Sequence, residues 1–134
     1  MAKTSVAQLN TAVLGVLADF KDVTNDVVEQ AVKETAVETA KKISQNAAAQ
    51  FPEGTGDYAK SWSQKTVNGR KYGRYTRIVY SRDPYYRLAH LLENGHAKVN
   101  GGRVEGRPHI APAADAAADK LLTRIKSGVK NMEV

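Results

Sequence analysis

The sequence predicts a single α+β domain, in which a long N-terminal helical arm and a C-terminal helix pack on a small antiparallel sheet with a protruding hairpin. A length of 134 residues suits one domain with a modest core. Apolar residues recur three and four positions apart in both terminal parts of the chain, which is typical of helices. Between them, residues 63–67 and 75–80 are rich in β-branched and aromatic residues, which is typical of strands.

The first 24 residues are predicted to form a helical arm. The segment Lys21–Asp26 contains residues that favour helix N-caps, and Glu29 follows Asp26 by three positions, as in a capping box. We therefore expect a break or kink there, with the core of the domain at residues 25–130. One apolar stripe runs along the arm: Val6, Leu9, Val13, Leu17 and Phe20.

A second helix is predicted from about Val27. Glu38 and Lys42 are spaced for an i,i+4 ion pair on this helix. Phe51-Pro52 ends it, because a proline ring disfavours helical geometry at the preceding residue. The apolar stripe consists of Val28, Val32, Ala36, Ala40, Ile43, Ala47 and Phe51.

The two predicted strands enclose a basic connection, Asn68–Arg74. Residues 60–87 contain eight basic side chains and one acid, so this segment carries +7 while the whole chain carries +6. Concentrated positive charge suits a polyanion or an acidic protein face, and a merely solvated hairpin is the alternative. The candidate contacts to a DNA channel or an acidic partner are Arg70, Lys71, Tyr72, Arg74 and Arg77.

The remaining chain is predicted to alternate short elements and loops. Tyr86–Asn94 reads as a helix that stops at Gly95, residues 97–102 as a loop, and residues 103–106 as a short strand. A last helix is predicted from Ala113 to about Lys130, with acidic residues early and basic residues late, as the helix dipole favours.

The three histidines do not form a metal site in this interpretation. His90 and His96 are six residues apart, about 240° around an ideal helix, and Gly95 ends the helix between them. No cysteine completes a shell with His109. Ser61, Ser63 and Ser81 lack a nucleophile-elbow setting, and the glycines match no phosphate-binding pattern. We therefore predict no catalytic residue, no metal, no cofactor and no enzyme activity.

The sequence also predicts a protein without membrane or secretory signals. The N-terminus lacks the continuous apolar core of a signal peptide. No segment approaches the ~20 apolar residues that span a bilayer. The lack of cysteine suits a reducing compartment.

Three motifs in fixed order carry a family likeness across residues 20–130. They read PEGTGDYAKS from Pro52, YRLAHLLENGH from Tyr86, and PHIAPA from Pro108. In this order, after a helical first half, they resemble the small minor tail, or neck, proteins of long-tailed bacteriophages. That family is typified by the tail-component protein of the HK97 phage.

The resemblance implies a structural virion protein without catalysis. Such proteins act as homo-oligomeric rings around the DNA channel, at the head–tail junction or in tail completion. The implied neighbours are the adaptor, head-closure, tail-terminator and tail-tube proteins, with assembly in the host cytoplasm and no membrane. Residues 5–20 have no clear counterpart in the family and are interpreted as an intersubunit arm.

The resemblance also gives the histidine-rich stretch a structural role. His90 and Glu93, one helical turn apart, are expected to bond each other or an adjacent loop. Gly95 is expected to supply a left-handed helix end. Pro108 and Pro112 are expected to hold His109 and Ile110 beneath the last helix. This structural signature comprises His90, Glu93, Gly95, His96, Pro108, His109 and Pro112.

A different class of function stays open from the residues alone. The chain could be a free-standing, sequence-independent nucleic-acid-binding protein that uses the basic hairpin.

Overall fold

A computed structural model describes residues 6–67 and 75–131, with side chains inside the first helix described at positions 14, 15 and from 22 onward. The α+β prediction is confirmed: long terminal helices flank two small antiparallel sheets. The elements are α1 (Val6–Gln50), α2 (Asp57–Lys60), β1 (Trp62–Thr66), β2 (Arg77–Ser81), α3 (Tyr86–Asn94), β3 (Gly95–Ala97), β4 (Arg103–Glu105) and α4 (Ala111–Lys130).

The helix α1 is continuous, so the predicted break at Lys21–Asp26 is wrong. Thr, Asn and Asp each cost a helix interior less than ~0.7 kcal/mol relative to alanine. That cost is too small to interrupt a helix that continues on both sides of the segment. At about 1.5 Å per residue, α1 is about 68 Å long and forms the axis of the molecule.

The helix α4 runs antiparallel along α1 and begins two residues earlier than predicted, at Ala111. At its start, Asn46 Nδ2 donates to the carbonyl of His109 across 3.2 Å. At its far end Gly128 lies so close to Val27 that a Cβ at this position would collide with Val27 Cγ1. The buried apolar residues of the described chain are nearly all small, namely Ala31, Ala36, Ala40, Ile43, Ala47, Ala59 and Ala113.

An ion cluster joins the two long helices. Glu38 accepts from Lys120 Nζ at 2.8 Å and from Arg124 Nη2, while Arg124 Nη1 donates to Thr35 Oγ1 at 2.9 Å. The predicted pair between Glu38 and Lys42 is therefore wrong, because α4 brings stronger partners to the carboxylate. Lys120 first, and Arg124 second, lower the pKa of Glu38 from 4.5 to about 2.

The strands β1 and β2 pair from Trp62↔Ser81 to Thr66↔Arg77 and pack against α1. Both predicted strands are confirmed, with boundaries shifted by one or two residues. Their inner end is tied by a buried bond of 2.6 Å between the hydroxyls of Ser61 and Ser81. The connection at residues 68–74, predicted as a protruding basic tip, lies outside the described residues.

A second small hairpin follows α3 directly. Gly95–Ala97 pairs with Arg103–Glu105, so the predicted loop at 97–102 starts one residue too early, inside a strand that the sequence did not reveal. Gly95 has a φ of 79°, as a glycine stop requires, but its ψ of 176° is extended rather than left-handed helical. The chain therefore passes straight from helix into strand, and a Cβ there would collide with Val104 O.

Much large apolar surface lies outside the core. His109 and Ser61 are the largest side chains that are fully buried among the described residues. The exposed large apolar residues include Leu14, Val37, Leu88, Val99, Val104, Leu122 and Val129.

Candidate functional site: the His109 cluster and the basic segment

His109 is fully buried where α1 ends and α4 begins. Its Nδ1 lies 2.9 Å from the carbonyl oxygen of Arg107, which requires a donor, so the proton is assigned to Nδ1. Its Nε2 then accepts from the hydroxyl of Tyr58 at 2.6 Å. Both ring nitrogens of a neutral imidazole are satisfied in this way.

Three aromatic rings surround the imidazole edge to face. The centroids of Phe51, Tyr58 and Trp62 lie 5.3, 5.5 and 6.4 Å from that of His109, at interplanar angles of 88°, 74° and 79°. Burial raises the pKa of Tyr58 to about 12, although the nearby Trp62 indole opposes the rise. Tyr58 therefore keeps its proton and serves as the donor to His109.

Glu93 caps the N-terminus of α4 from the preceding helix. Its carboxylate accepts the backbone N–H of His109 at 2.6 Å, of Ile110 at 2.8 Å and of Ala111 at 3.2 Å. These are orphan donors of a helix start, where a negative charge is also favoured. Burial alone would raise the pKa of Glu93, but the three backbone N–H donors lower it below its ordinary value of 4.5.

Some residues of the predicted structural signature lie in the His109 cluster, and others lie away from it. Glu93 bonds the loop at 109–111, the second of the two predicted contacts, and Pro112 lies in the first turn of α4, where its missing N–H is tolerated. His90 and His96 are exposed and take no part in the cluster.

Several residues of the cluster were not singled out from the sequence. The sequence predicts Phe51 as the end of a helix and Tyr58 and Trp62 as parts of a short turn, because no local pattern reports which ring meets a residue fifty positions away. Arg107 also joins here: its Nη1 donates to Gln50 O at 2.8 Å and to a Glu53 oxygen at 2.6 Å. Among these residues, Tyr58 had one sequence feature that could have pointed to a structural role, namely its position inside the motif that begins at Pro52.

The basic segment is described only in part. Arg70, Lys71, Tyr72 and Arg74 lie outside the described residues, so their predicted contacts stay predictions. Arg77 is half-buried in β2, and its Nη1 donates to Gln64 Oε1 at 2.8 Å.

The flanks of the basic segment also bond to their own chain. Lys65 lies 4.9 Å from the centroid of the Tyr80 ring, and Arg82 Nη2 donates to Lys60 O at 2.7 Å. These contacts fix the base of the hairpin.

The described ranges contain neither a group of side chains placed to hold a metal ion nor a helix suited to cross a membrane. Within residues 6–67 and 75–131, no three His, Cys, Asp or Glu side chains are placed to hold one metal ion. No helix in the described part of the chain combines the length and apolarity needed to cross a membrane.

Comparison with known proteins gives one match. A family model described as a bacteriophage HK97-gp10 tail-component matches residues 13–95, more than half of the chain. The match covers most of α1, the β1–β2 hairpin and α3, and it ends before the motif at Pro108. It begins inside the segment that the sequence left without a counterpart. No curated protein and no solved structure gives a significant match.

Proposed function

Since the chain belongs to the HK97-gp10-like family of bacteriophage tail-component proteins, we propose that it forms a ring at the head–tail junction, or neck, or in tail completion. Family membership implies a structural role in the phage tail, interaction with other tail proteins and a place in the virion. The ring, its level in the particle and the absence of catalysis are the proposed part.

Unpartnered apolar surface is the observation that supports assembly. Leu14 is 66% exposed, Leu122 53% and Val37 47%, while the buried apolar residues of the described chain are mostly alanines. A subunit with a small core and exposed apolar side chains gains stability by burying them against neighbours.

The His109 cluster supports a structural role rather than turnover. The imidazole has no exposed surface, and both of its nitrogens are engaged by the protein itself. A general base must reach the proton that it removes. The cluster instead joins the end of α1 to the start of α4.

The proposed neighbours are the adaptor, head-closure, tail-terminator and tail-tube proteins, with assembly in the host cytoplasm. The basic hairpin would face the DNA channel or an acidic protein partner, since both complement a segment of charge +7.

Imaging of particles made without this protein tests the proposal. Electron micrographs should show normal heads and tails that fail to join, or tails that are unstable. Re-supplying the protein should restore joined particles and add ring density at the neck. Infectious virions of normal appearance without the protein would contradict the proposal.

The hairpin can be tested in the same particles. Replacing Arg70, Lys71 and Arg74 with glutamine should weaken DNA retention or assembly. A matched control replaces Lys33, Lys41 and Lys42, three exposed cations of α1, and should leave particles unchanged. Equal behaviour of both variants would identify the hairpin as a solvated surface.

The second candidate is a free-standing protein that binds nucleic acid without reading its sequence, supported by the same concentration of charge at residues 60–87. The isolated chain would then bind DNA with an affinity that falls steeply as salt rises. Binding by the monomer would favour this candidate, whereas binding only after assembly would favour the ring.

A further inference from the structure

An open apolar groove lies between α1, α4 and the β1–β2 sheet. Its volume is about 440 Å³, and Arg77, held by Gln64, is the one charged residue among its described lining residues. Small residues of α4 leave room for another backbone to approach closely. The apolar lining includes Val32, Ala36, Ile43, Trp62, Ala114 and Leu121.

The beginning of α1 is a helix without a neighbour in its own chain at the positions described. The far end of α4 meets α1 at Val27, so residues 6–22 extend beyond it. Leu14 is 66% exposed, and a Cβ added at Gly15 would meet nothing within 4 Å.

The same part of the chain has the composition of a buried helix. The sequence from Thr4 to Ala18 contains no charged residue, although a quarter of the whole chain is charged. Solvated helix faces normally carry charges, whereas the cores of protein interfaces are depleted of them.

The lengths of the groove and of the uncharged helix agree. The α1 side of the groove runs from Val32 to Ile43, about 17 Å at 1.5 Å per residue. The described uncharged helix, residues 6–18, spans about 18 Å by the same rise. An amphipathic helix laid in an apolar groove is a recurrent mode of recognition.

The arm cannot occupy the groove of its own subunit. Residues 6–50 form one continuous helix, so the arm points away along the axis on which the groove lies. The centres of the two segments are about 25 residues apart, or about 37 Å. Any occupation of the groove by this arm is therefore between copies.

We infer that residues 6–18 of one copy dock in the groove between α1, α4 and the β1–β2 sheet of a second copy. Arm and groove are different surfaces, so the contact is head-to-tail and closes into a ring when its rotation allows. The inference deepens the proposed function and rests on its ring.

Disulfide trapping tests this contact, because the natural chain has no cysteine. One chain carries Val13→Cys near the middle of the arm, and the other carries Ala114→Cys in the groove. The two chains are mixed and then oxidised, first in solution over a concentration series and then in assembled particles. In both settings they should form a disulfide-linked heterodimer. A chain with both substitutions should give linked multimers rather than an internally closed monomer.

The matched control is Gly15→Cys, which lies about 200° around the helix from Val13. Gly15→Cys should form a heterodimer with Ala114→Cys at only a small fraction of the yield that Val13→Cys gives. The inference would be overturned if Val13→Cys and Gly15→Cys gave equal yields of heterodimer. It would also be overturned if Val13→Cys linked mainly to the arm of another copy, or if no heterodimer formed in solution or in particles.

Charge insertion supplies a second measurement. Val13→Glu with Leu17→Glu should weaken self-association at least about tenfold, because charges are buried poorly in an apolar groove. Gln8→Glu with Gly15→Glu adds the same charge on the opposite face and should leave the oligomer mass unchanged. Rings that persist in particles of the first variant would overturn the arm contact while leaving the proposed ring intact. Particles of the unmodified protein that lack any ring would instead defeat the proposed function.

Discussion

The two ends of α1 are built in opposite ways. At the C-terminal end, Tyr58 bonds to the His109 ring, Glu93 accepts from the His109 backbone, and Phe51 packs on the imidazole, all within a single subunit. At the N-terminal end, the helix extends past α4, and Leu14 is exposed.

This difference indicates that one end of α1 stabilises the subunit and the other end serves assembly. The satisfied end contains the polar groups that would cost most if unpaired, so it holds the monomer in one conformation. The projecting end contributes apolar surface that the monomer cannot bury. Damage to the first end should therefore appear as lost stability, and damage to the second as lost assembly.

The largest loss of stability is expected from Glu93→Ala. It removes the acceptor of three backbone N–H groups at the start of α4, so we expect a loss of about 3 kcal/mol in the free energy of unfolding. Urea unfolding measures it. Glu53→Ala, which removes an exposed ion pair with Arg107, is the control and should cost far less. Similar losses from both would contradict the capping role.

The pair of His109 and Tyr58 should show coupling. His109→Phe leaves the half-buried Tyr58 hydroxyl without its acceptor and should cost about 2 kcal/mol. Tyr58→Phe should cost about 1 kcal/mol. The double variant should cost less than the sum, because neither partner is then left unpaired. Strict additivity in urea unfolding would show that the bond contributes nothing.

Acid should weaken the fold through carboxylates whose pKa is lowered. Glu38 has a pKa of about 2 in the folded protein against 4.5 ordinarily, and Glu93 is also lowered. Their contribution is complete above the unfolded value and is lost as pH falls through the folded one. Stability should therefore decline from pH 4.5 towards about 2. Glu38→Gln should flatten this decline, and an unchanged slope would refute the assignment.

The smallest effect on the monomer is expected from removal of residues 1–22. At concentrations where both chains are monomeric, the free energy of unfolding should change by less than about 0.5 kcal/mol. Sedimentation at higher concentration should nevertheless show lost association. A loss above about 2 kcal/mol in the monomer would mean that the arm packs within its own subunit.

Local patterns in the sequence predicted several elements well. The bounds of α3 are confirmed at Tyr86–Asn94, because its apolar spacing and the following glycine act locally. The same local reasoning failed at Lys21–Asp26, where good capping residues lie inside a helix. It also missed β3, since a three-residue strand depends on its partner at Arg103–Glu105 rather than on its own composition.

The residues of the candidate site likewise fall into those that the sequence identified and those that only the fold revealed. Glu93 and His109 stood out in the sequence, but their partners did not, because a hydrogen bond from Tyr58 to His109 joins positions 51 residues apart. Glu38 was predicted to pair with its helical neighbour, whereas α4 supplied Lys120 and Arg124 instead. Spacing along one helix cannot report what a second helix brings to it.

The sequence by itself determined the fold class, the two long helices, the regional positive charge and the phage-tail likeness, since periodicity, composition and motif order are local properties. Tertiary structure alone decided that α1 is unbroken, that Glu93 caps α4, and that an apolar groove opens beside Trp62 while the arm projects away from it. Those features depend on which distant surfaces meet, and burial and hydrogen bonding across the chain select that arrangement.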